Sequence, residues 1–419
     1  MTNTTIPSSV RPATLRDHPR FLRVWAGQAS GAIGDQLLPV ALSLYVLQQG
    51  SGITGVGLIM TGRAAALVLC LLIGGTLADR MSRTRLLLTA DAIRALLLLT
   101  TAVFLSHIHT GELPLLTALL GGAEALSRPS YRSLVGHILP DTLLERGNAW
   151  IAAAQRSAAL FGALLGAVAV SAIGLRPTLV VAAVVYALGA LTVLRVPDTA
   201  TRSRQATMLA EAAAGVRAVR ERPWIAAVMV TVCLHLFAAT ATALTLLPVI
   251  ARQDMGGGLA YGACIAAMAA GALPAVAVAS RWHPSSPGLA AMLALTGYAL
   301  VPWSLTIPHL PVVMTGFAVG GFVVEGYMVY WLSALQRAVP TATLGKVMAL
   351  DQLSAFALLP AGYALVGPVV AAVGQRTTLL TGGTIVLLSS LLCLTVPGVR
   401  AFATPSTTRT PTHHHPEHT

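Results

Sequence analysis

The chain is written as a series of apolar runs, each about long enough to cross a bilayer, and this restricts it to a bundle of membrane helices. A crossing needs roughly 20 apolar residues. Runs of that length lie at 21–48, 54–78, 86–106, 113–136, 148–172 and 175–195, and again at 224–250, 259–281, 288–307, 311–335, 343–371 and 377–397. In hydrocarbon each backbone N–H and C=O must be satisfied within its own segment, which an α-helix does and an irregular chain does not. Charged residues make up only 10% of the 419, and mean hydropathy is +0.74; a soluble domain carries about a quarter charged residues. The spans consume nearly the whole length, so a soluble enzyme is excluded and an extramembrane catalytic domain has no room. Phosphate-loop, H-E-x-x-H and Ser-His-Asp patterns are missing as well, so the reading is not an enzyme, with no cofactor and no metal. Cys70, Cys233, Cys264 and Cys393 sit inside apolar runs without disulfide or metal spacing and read as core residues.

The runs fall into two sets of six. This predicts an all-α membrane protein with a cytoplasmic tail at 1–20, an N-terminal six-helix bundle at 21–195, a central loop at 196–223, a C-terminal six-helix bundle at 224–397 and a disordered, His-containing tail at 398–419. The loop reads as a short amphipathic helix, with Met208, Leu209, Ala212, Val216 and Val219 on one side and Arg217, Arg220 and Glu221 on another. The first apolar run has no small-residue cleavage site, so no removed signal peptide is expected.

The net charge of +12 would suggest nucleic acid in a soluble chain, but here the placement of the charges matters more than their sum. With the N-terminus inside, most of the 27 Lys and Arg fall in inner connectors, and only Arg176, Arg252 and Arg376 in outer ones. The bias predicts both termini in the cytoplasm and no nucleic-acid partner. Lys346 is the only lysine in an Arg- and Ala-rich chain, an association with bacterial sources that points to the bacterial inner membrane.

The most specific local pattern is Gly75-Thr-Leu77-Ala78-Asp79-Arg80-Met-Ser-Arg83-Thr-Arg85, at the inner end of the second run. Gly75 permits close helix approach, Asp79 can accept bonds from neighbouring helix ends or arginines, and the arginines suit the inner surface. The pattern resembles the G-x-L-A-D-R-x-G-R-R-x-L signature of the major facilitator superfamily, with Ser82 at the second glycine. Arg20-Phe21-Leu22-Arg23-Val-Trp25-Ala-Gly27-Gln28, Gly34-Asp35, Asp91-x-x-Arg94 and Gln336-Arg337-x-x-Pro340 resemble the branch holding the enterobactin exporter and bacterial multidrug exporters. Antiporters of the superfamily often carry G-x-x-x-G-P-x-x-G-G in helix 5. This chain has Gly162 and Gly166 followed by Ala167, without the proline, which fits close helix packing equally well. The resemblance implies the twelve-helix major facilitator fold. It also implies an inner gate in which Arg128 or Arg132 engages Asp79, with Arg80, Arg83, Arg85, Asp91 and Arg94 around it.

Ionisable residues inside a span are costly, about 2.5–3.5 kcal/mol at mid-helix on translocon scales, and by default face a wet cavity or a partner. At about 1.5 Å per residue, Asp35 lies roughly 21 Å from Phe21 and Arg63 about 24 Å from Asp79. Equal depth predicts an Asp35–Arg63 pair, either opened by protonation or permanent and structural. The same arithmetic predicts a second pair, Glu124 with Arg156. Glu325 stands at mid-depth of the tenth run, for proton coupling, cation recognition or a helix-to-helix hydrogen bond. Tyr327, Tyr330 and Trp331 are expected to line a path for a flat apolar substrate. Asp351 is expected at the inner gate, and His235 in the core.

The sequence therefore reads as a secondary transporter that exports apolar or amphipathic small molecules, drugs or natural products, by proton antiport and alternating access, as a monomer. Siderophore export or nutrient import on the same fold is the first rival, and a non-transporting membrane receptor or scaffold the second.

Overall fold

The computed structural model describes residues 14–80, 82–194, 196 and 215–403; within these, the side chains at 71–80, 83, 128–129, 132–133, 136–137, 141, 145 and 341–342 lie outside the description. No strand occurs among the described residues. The first six helices are α1 (Pro19–Gln48), α2 (Gly52–Arg80), α3 (Arg83–Phe104), α4 (Leu113–Ile138), α5 (Asp141–Ile173) and α6 (Leu175–Val193). In the second half, α7 runs as Pro223–His235 and Ala241–Asp254 around a π-helical turn, Leu236–Thr240. Then come α8 (Gly258–Arg281), α9 (Pro287–Thr296 and Leu300–Ser304 joined by a 3₁₀ turn), α10 (Leu310–Ala338), α11 (Thr341–Ala357 and Leu359–Val373) and α12 (Gln375–Cys393).

Among the described residues, ten helices are long and apolar enough to cross a membrane. The other two segments are α4, which carries Glu124 together with Arg128 and Arg132, and α9, which the 3₁₀ turn divides into short pieces. α5 begins seven residues before the apolar run that predicted it, because the polar stretch after Pro140 continues the same helix beyond the apolar region. The predicted amphipathic loop lies mostly outside the described residues; its end, 215–220, is helical, with Ala218 and Val219 buried and Arg217 and Arg220 exposed. The histidine tail from 404 onward also lies outside them.

An internal repeat is plain in the backbone. Pro140 caps α5 and Pro340 caps α11, both extended, at ψ 154° and 142°. Gly174 (φ +79°) joins α5 to α6, and Gly374 (φ +84°) joins α11 to α12. A single residue that reverses the chain at positive φ favours glycine, so the same device recurs at the same place in both halves.

α1 packs on α5 and α6, α2 on α4, and α3 on α4 and α6; in the second half α8 and α9 pack on α10, and α7 and α9 on α12. Gly162 and Gly166 provide the close approach expected of them: a Cβ at Gly166 would sit 2.5 Å from the Leu37 carbonyl oxygen. Between the halves, α5 meets α8 and α2 meets α11. These contacts use Gly57 against Tyr363, Gly367 against Thr54, and Gly262 against Ala167. Every one of these residues lies in the half of its helix remote from the two chain ends, so the described bundles close together on the side opposite the termini.

Candidate functional site

Five helices of the first half bring their ionisable side chains to one buried place. Asp35 of α1 follows Gly34, whose missing side chain lets the Tyr186 ring of α6 approach; a Cβ there would lie 2.5 Å from the ring carbon bearing the hydroxyl. The Tyr186 hydroxyl donates to Asp35 Oδ1 at 2.8 Å. Arg94 of α3 places its Nη1 3.6 Å from Asp35 Oδ1 and 3.4 Å from Asp91 Oδ1, and its guanidinium lies over the Tyr186 ring, 5.1 Å from the centroid. Such a cation over an aromatic face is attracted by the ring quadrupole. The Tyr131 hydroxyl of α4 donates to Asp91 Oδ2 at 3.4 Å.

Arg63 of α2 completes the cluster. It donates from Nε to Glu124 Oε2 at 3.0 Å, approaches the same oxygen from Nη2 at 2.9 Å, and donates from Nη2 to the Asp35 carbonyl at 3.1 Å. A cavity of about 20 Å³, enough for a water molecule, lies among Asp35, Arg63, Thr117, Glu124 and Tyr186. A carboxyl beside such a cavity, with an arginine and a hydroxyl already on it, can gain or lose a proton if its neighbours rearrange.

A second ionic contact has a different character. Arg156 of α5 bonds Glu325 of α10, so it joins the two halves. The Arg156 side chain is 41% exposed and that of Glu325 14%, whereas Glu124, Asp91 and Arg94 are nearly sealed.

Two of the pairings expected from depth differ from those in the structure. Arg63 does reach Asp35, but at its backbone carbonyl; the guanidinium engages Glu124, while the Asp35 carboxylate turns to α3 and α6. Glu124 therefore pairs with Arg63, and Arg156 with Glu325. Helix faces, which depth ignores, decide the partners. Asp91 and Arg94, expected around the inner gate, belong with Asp35. Gly75, Asp79, Arg80, Arg83, Arg128 and Arg132 fall on side chains outside the description, so the gate they were expected to form does too; Arg85 is described and its backbone N–H donates to the Ser82 hydroxyl.

The aromatic lining expected in the second half is also corrected. Tyr327 and Trp331 are buried and stacked, with centroids 6.1 Å apart, and Trp331 packs on Trp224 and Phe402. In this structure, then, they face a packed aromatic cluster and line no open path. Tyr330 turns the other way, donating to the Trp282 carbonyl at 2.8 Å. Trp331 donates its indole N–H to Asp351 at 3.2 Å, and His235, buried beside the π-helical turn, meets the Ser389 hydroxyl at 3.0 Å. Tyr186 and Tyr131 were missed: each is one of several hydroxyl residues in its helix, and the available signal, for Tyr186 alone, was Gly34 beside Asp35 and Gly189 within a turn of Tyr186, where small residues mark close approach.

Residues 24–361 match the sequence profile of the Major Facilitator Superfamily. Among curated proteins, the chain is 23% identical over 400 residues to the multidrug efflux pump Tap of Mycolicibacterium fortuitum, spanning 91% of this chain and 96% of that one. Among solved structures, it is similar to the nucleoside transporter NupG, with a TM-score of 0.71 at 13% identity, covering 91% of this chain and 99% of that one. It is also similar to the peptide transporter POT in complex with sulfate, with a TM-score of 0.71 at 16% identity, covering 92% and 96%. At such identities the solved structures establish the fold, and the profile match over most of the length establishes the family: the chain belongs to the major facilitator superfamily of membrane transporters.

Proposed function

We propose that the protein exports apolar or amphipathic small molecules across the bacterial inner membrane by proton antiport and alternating access, with both termini in the cytoplasm. The observation that carries this reading is Asp35, an acid at mid-helix whose carboxylate is held by Arg94 and Tyr186 at the edge of a water-sized cavity. A membrane scaffold has no need of such a group, which costs folding free energy unless it is used. The similarity to an efflux pump over nearly the full length favours export, and the positive-inside bias puts the closed side of the bundles outside. The form described would then face the cytoplasm.

In the cycle, a proton arriving from outside neutralises Asp35 and weakens its hold on Arg94 and Tyr186. The two halves then favour a different relative orientation, which is how one ligand shifts an equilibrium between two states. Arg156 and Glu325, drawn from opposite halves, must part or regroup whenever the halves rock at their level. Substrate would bind between the halves, where Arg156 is accessible.

The test is an everted-vesicle assay with a preset acid interior and a panel of amphipathic dyes and antibiotics, ethidium among them. Addition of a substrate is expected to dissipate the pH gradient in the parent and not in Asp35→Asn. Gradients untouched by every compound, or equal in parent and variant, would defeat the reading.

A further inference from the structure

Arg94 presents an arrangement that its neighbours do not explain. It is 2% exposed, yet only Nη1 faces an acid, and that one nitrogen is divided between Asp35 at 3.6 Å and Asp91 at 3.4 Å. Its Nε and Nη2 are buried and make no hydrogen bond among the described residues. A buried arginine usually makes bidentate, charge-assisted bonds at about 2.7–2.9 Å, and leaving buried donors unpaired is costly. This guanidinium is thus placed between two carboxylates and fully bonded to neither.

The surroundings allow it to move. Gly31 of α1 faces it, and a Cβ there would still be 3.9 Å from Nη1. On the far side Gly189 of α6 leaves room beside Asp91, with a Cβ 3.7 Å from Oδ2. Among the described residues, the charged and titratable groups facing this slot are Asp35 from α1, Asp91 and Arg94 from α3, Tyr131 from α4 and Tyr186 from α6. Arg63 of α2 and Glu124 of α4 lie next to it and pair with each other. Among the described residues two acids therefore share one base, and with both ionised the slot would hold a net negative charge with little water about it, an expensive state.

We propose that Asp35 and Asp91 hold one exchangeable proton between them, with Arg94 as the arm that moves to whichever carboxylate is ionised, so that Asp91 is the second proton-bearing residue of the transport cycle. In one arrangement Asp35 is protonated and Arg94 bonds Asp91. In the other Asp35 is ionised and bonded by Arg94, and the proton is on Asp91. The number of protons and the charge of Arg94 are the same in both. Asp91 Oδ2 stands beside Gly189, which also faces Gly27, about two turns before Asp35 in α1, so the exchange carries the proton a short way toward the side of the termini. Tyr131, whose hydroxyl bonds Asp91, stands next on that path.

This inference rests on the antiport reading and can fail separately from it. The experiment is the pH profile of ethidium-driven gradient dissipation in vesicles carrying the full chain, for the parent, Asp35→Asn, Asp91→Asn and Arg94→Gln. In Asp91→Asn, Arg94 stays on Asp35 and the competing anion is gone, so Asp35 takes its proton only at lower pH; the midpoint is expected to move about one unit acidic. In Arg94→Gln the cation is lost and the midpoint is expected to move about one unit alkaline. A purely structural role predicts altered amounts of protein but no movement in opposite directions. Midpoints equal to the parent in both variants, with coupling still abolished in Asp35→Asn, would overturn the shared proton and leave antiport standing. Coupling intact in Asp35→Asn would overturn antiport itself. Should Asp91→Asn fail to accumulate, Asp91→Ser takes its place, with the same acidic shift expected and an unmoved midpoint overturning the shared proton.

Discussion

Substituting Gly34 by alanine should disable the site without touching a charge. The new Cβ would lie 2.5 Å from Cζ and 2.7 Å from the hydroxyl oxygen of Tyr186, while carbon atoms in contact rest about 3.5–4.0 Å apart. The ring must retreat by about 1 Å, and the hydroxyl, now 2.8 Å from Asp35 Oδ1, would pass beyond hydrogen-bond reach. Overpacking in a tight core costs about 1–3 kcal/mol, and a lost hydrogen bond to a charged group about 1.5–3 kcal/mol. Their overlap suggests a loss of about 3 kcal/mol. Denaturation of the purified protein in mixed micelles would read it. Tyr186→Phe keeps the packing and loses only the hydrogen bond, so it should cost about half as much, while Gly34→Ala combined with Tyr186→Ala should cost less than the sum of the single changes, because the second removes what the first collides with. A Gly34→Ala protein within about 0.5 kcal/mol of the parent, the level of an ordinary surface change, would refute the reasoning.

Other outcomes follow from the same geometry. Reversing the charge of Arg156 or of Glu325 alone should lower transport at least tenfold while changing stability by less than about 1 kcal/mol, since the pair is partly solvated, and the double reversal should restore transport; a resistance assay with parallel unfolding curves would read both. In a cysteine-free background, cysteines at positions 54 and 367 should cross-link under oxidation and stop transport until reduced, because Gly367 already stands against Thr54 on the closed side. Gly321→Val should abolish folded protein, because the Met268 carbonyl of α8 occupies the space its side chain would need; fluorescence-detected size exclusion would show the loss.

Much of this was written in the sequence, and the rest was withheld for definite reasons. Run length and hydropathy are one-dimensional properties, so the helices could be counted and the depth of Asp35, Arg63, Glu124 and Glu325 placed by rise per residue. Which residues meet depends on the rotation of each helix about its axis, and an all-apolar helix in lipid offers little periodicity to fix it. That is why Arg63 was matched with Asp35 rather than Glu124, although Arg63 does reach the Asp35 backbone. The aromatic residues of α10 misled for a related reason: Tyr327 and Trp331 are four apart and share a face, but that face packs on Trp224 and Phe402 instead of a cavity. The duplication showed in the sequence only as two sets of six runs, because its finer markers are two prolines and two glycines at helix junctions, Pro140 with Pro340 and Gly174 with Gly374, positions set by backbone geometry rather than by similarity along the runs. The π-helical turn beside His235 has no composition signal at all.

The account stands on whether a proton leaves its site on Asp35 when a substrate crosses. The most direct measurement is made in proteoliposomes holding the purified protein and a trapped pH indicator, with ethidium uptake and internal pH followed together in the parent and in Asp35→Asn. The account predicts that uptake and proton release rise and fall together in the parent, and that Asp35→Asn shows no substrate-driven proton movement. Ethidium transport in the parent without any change of internal pH, or unchanged coupling in Asp35→Asn, would contradict it.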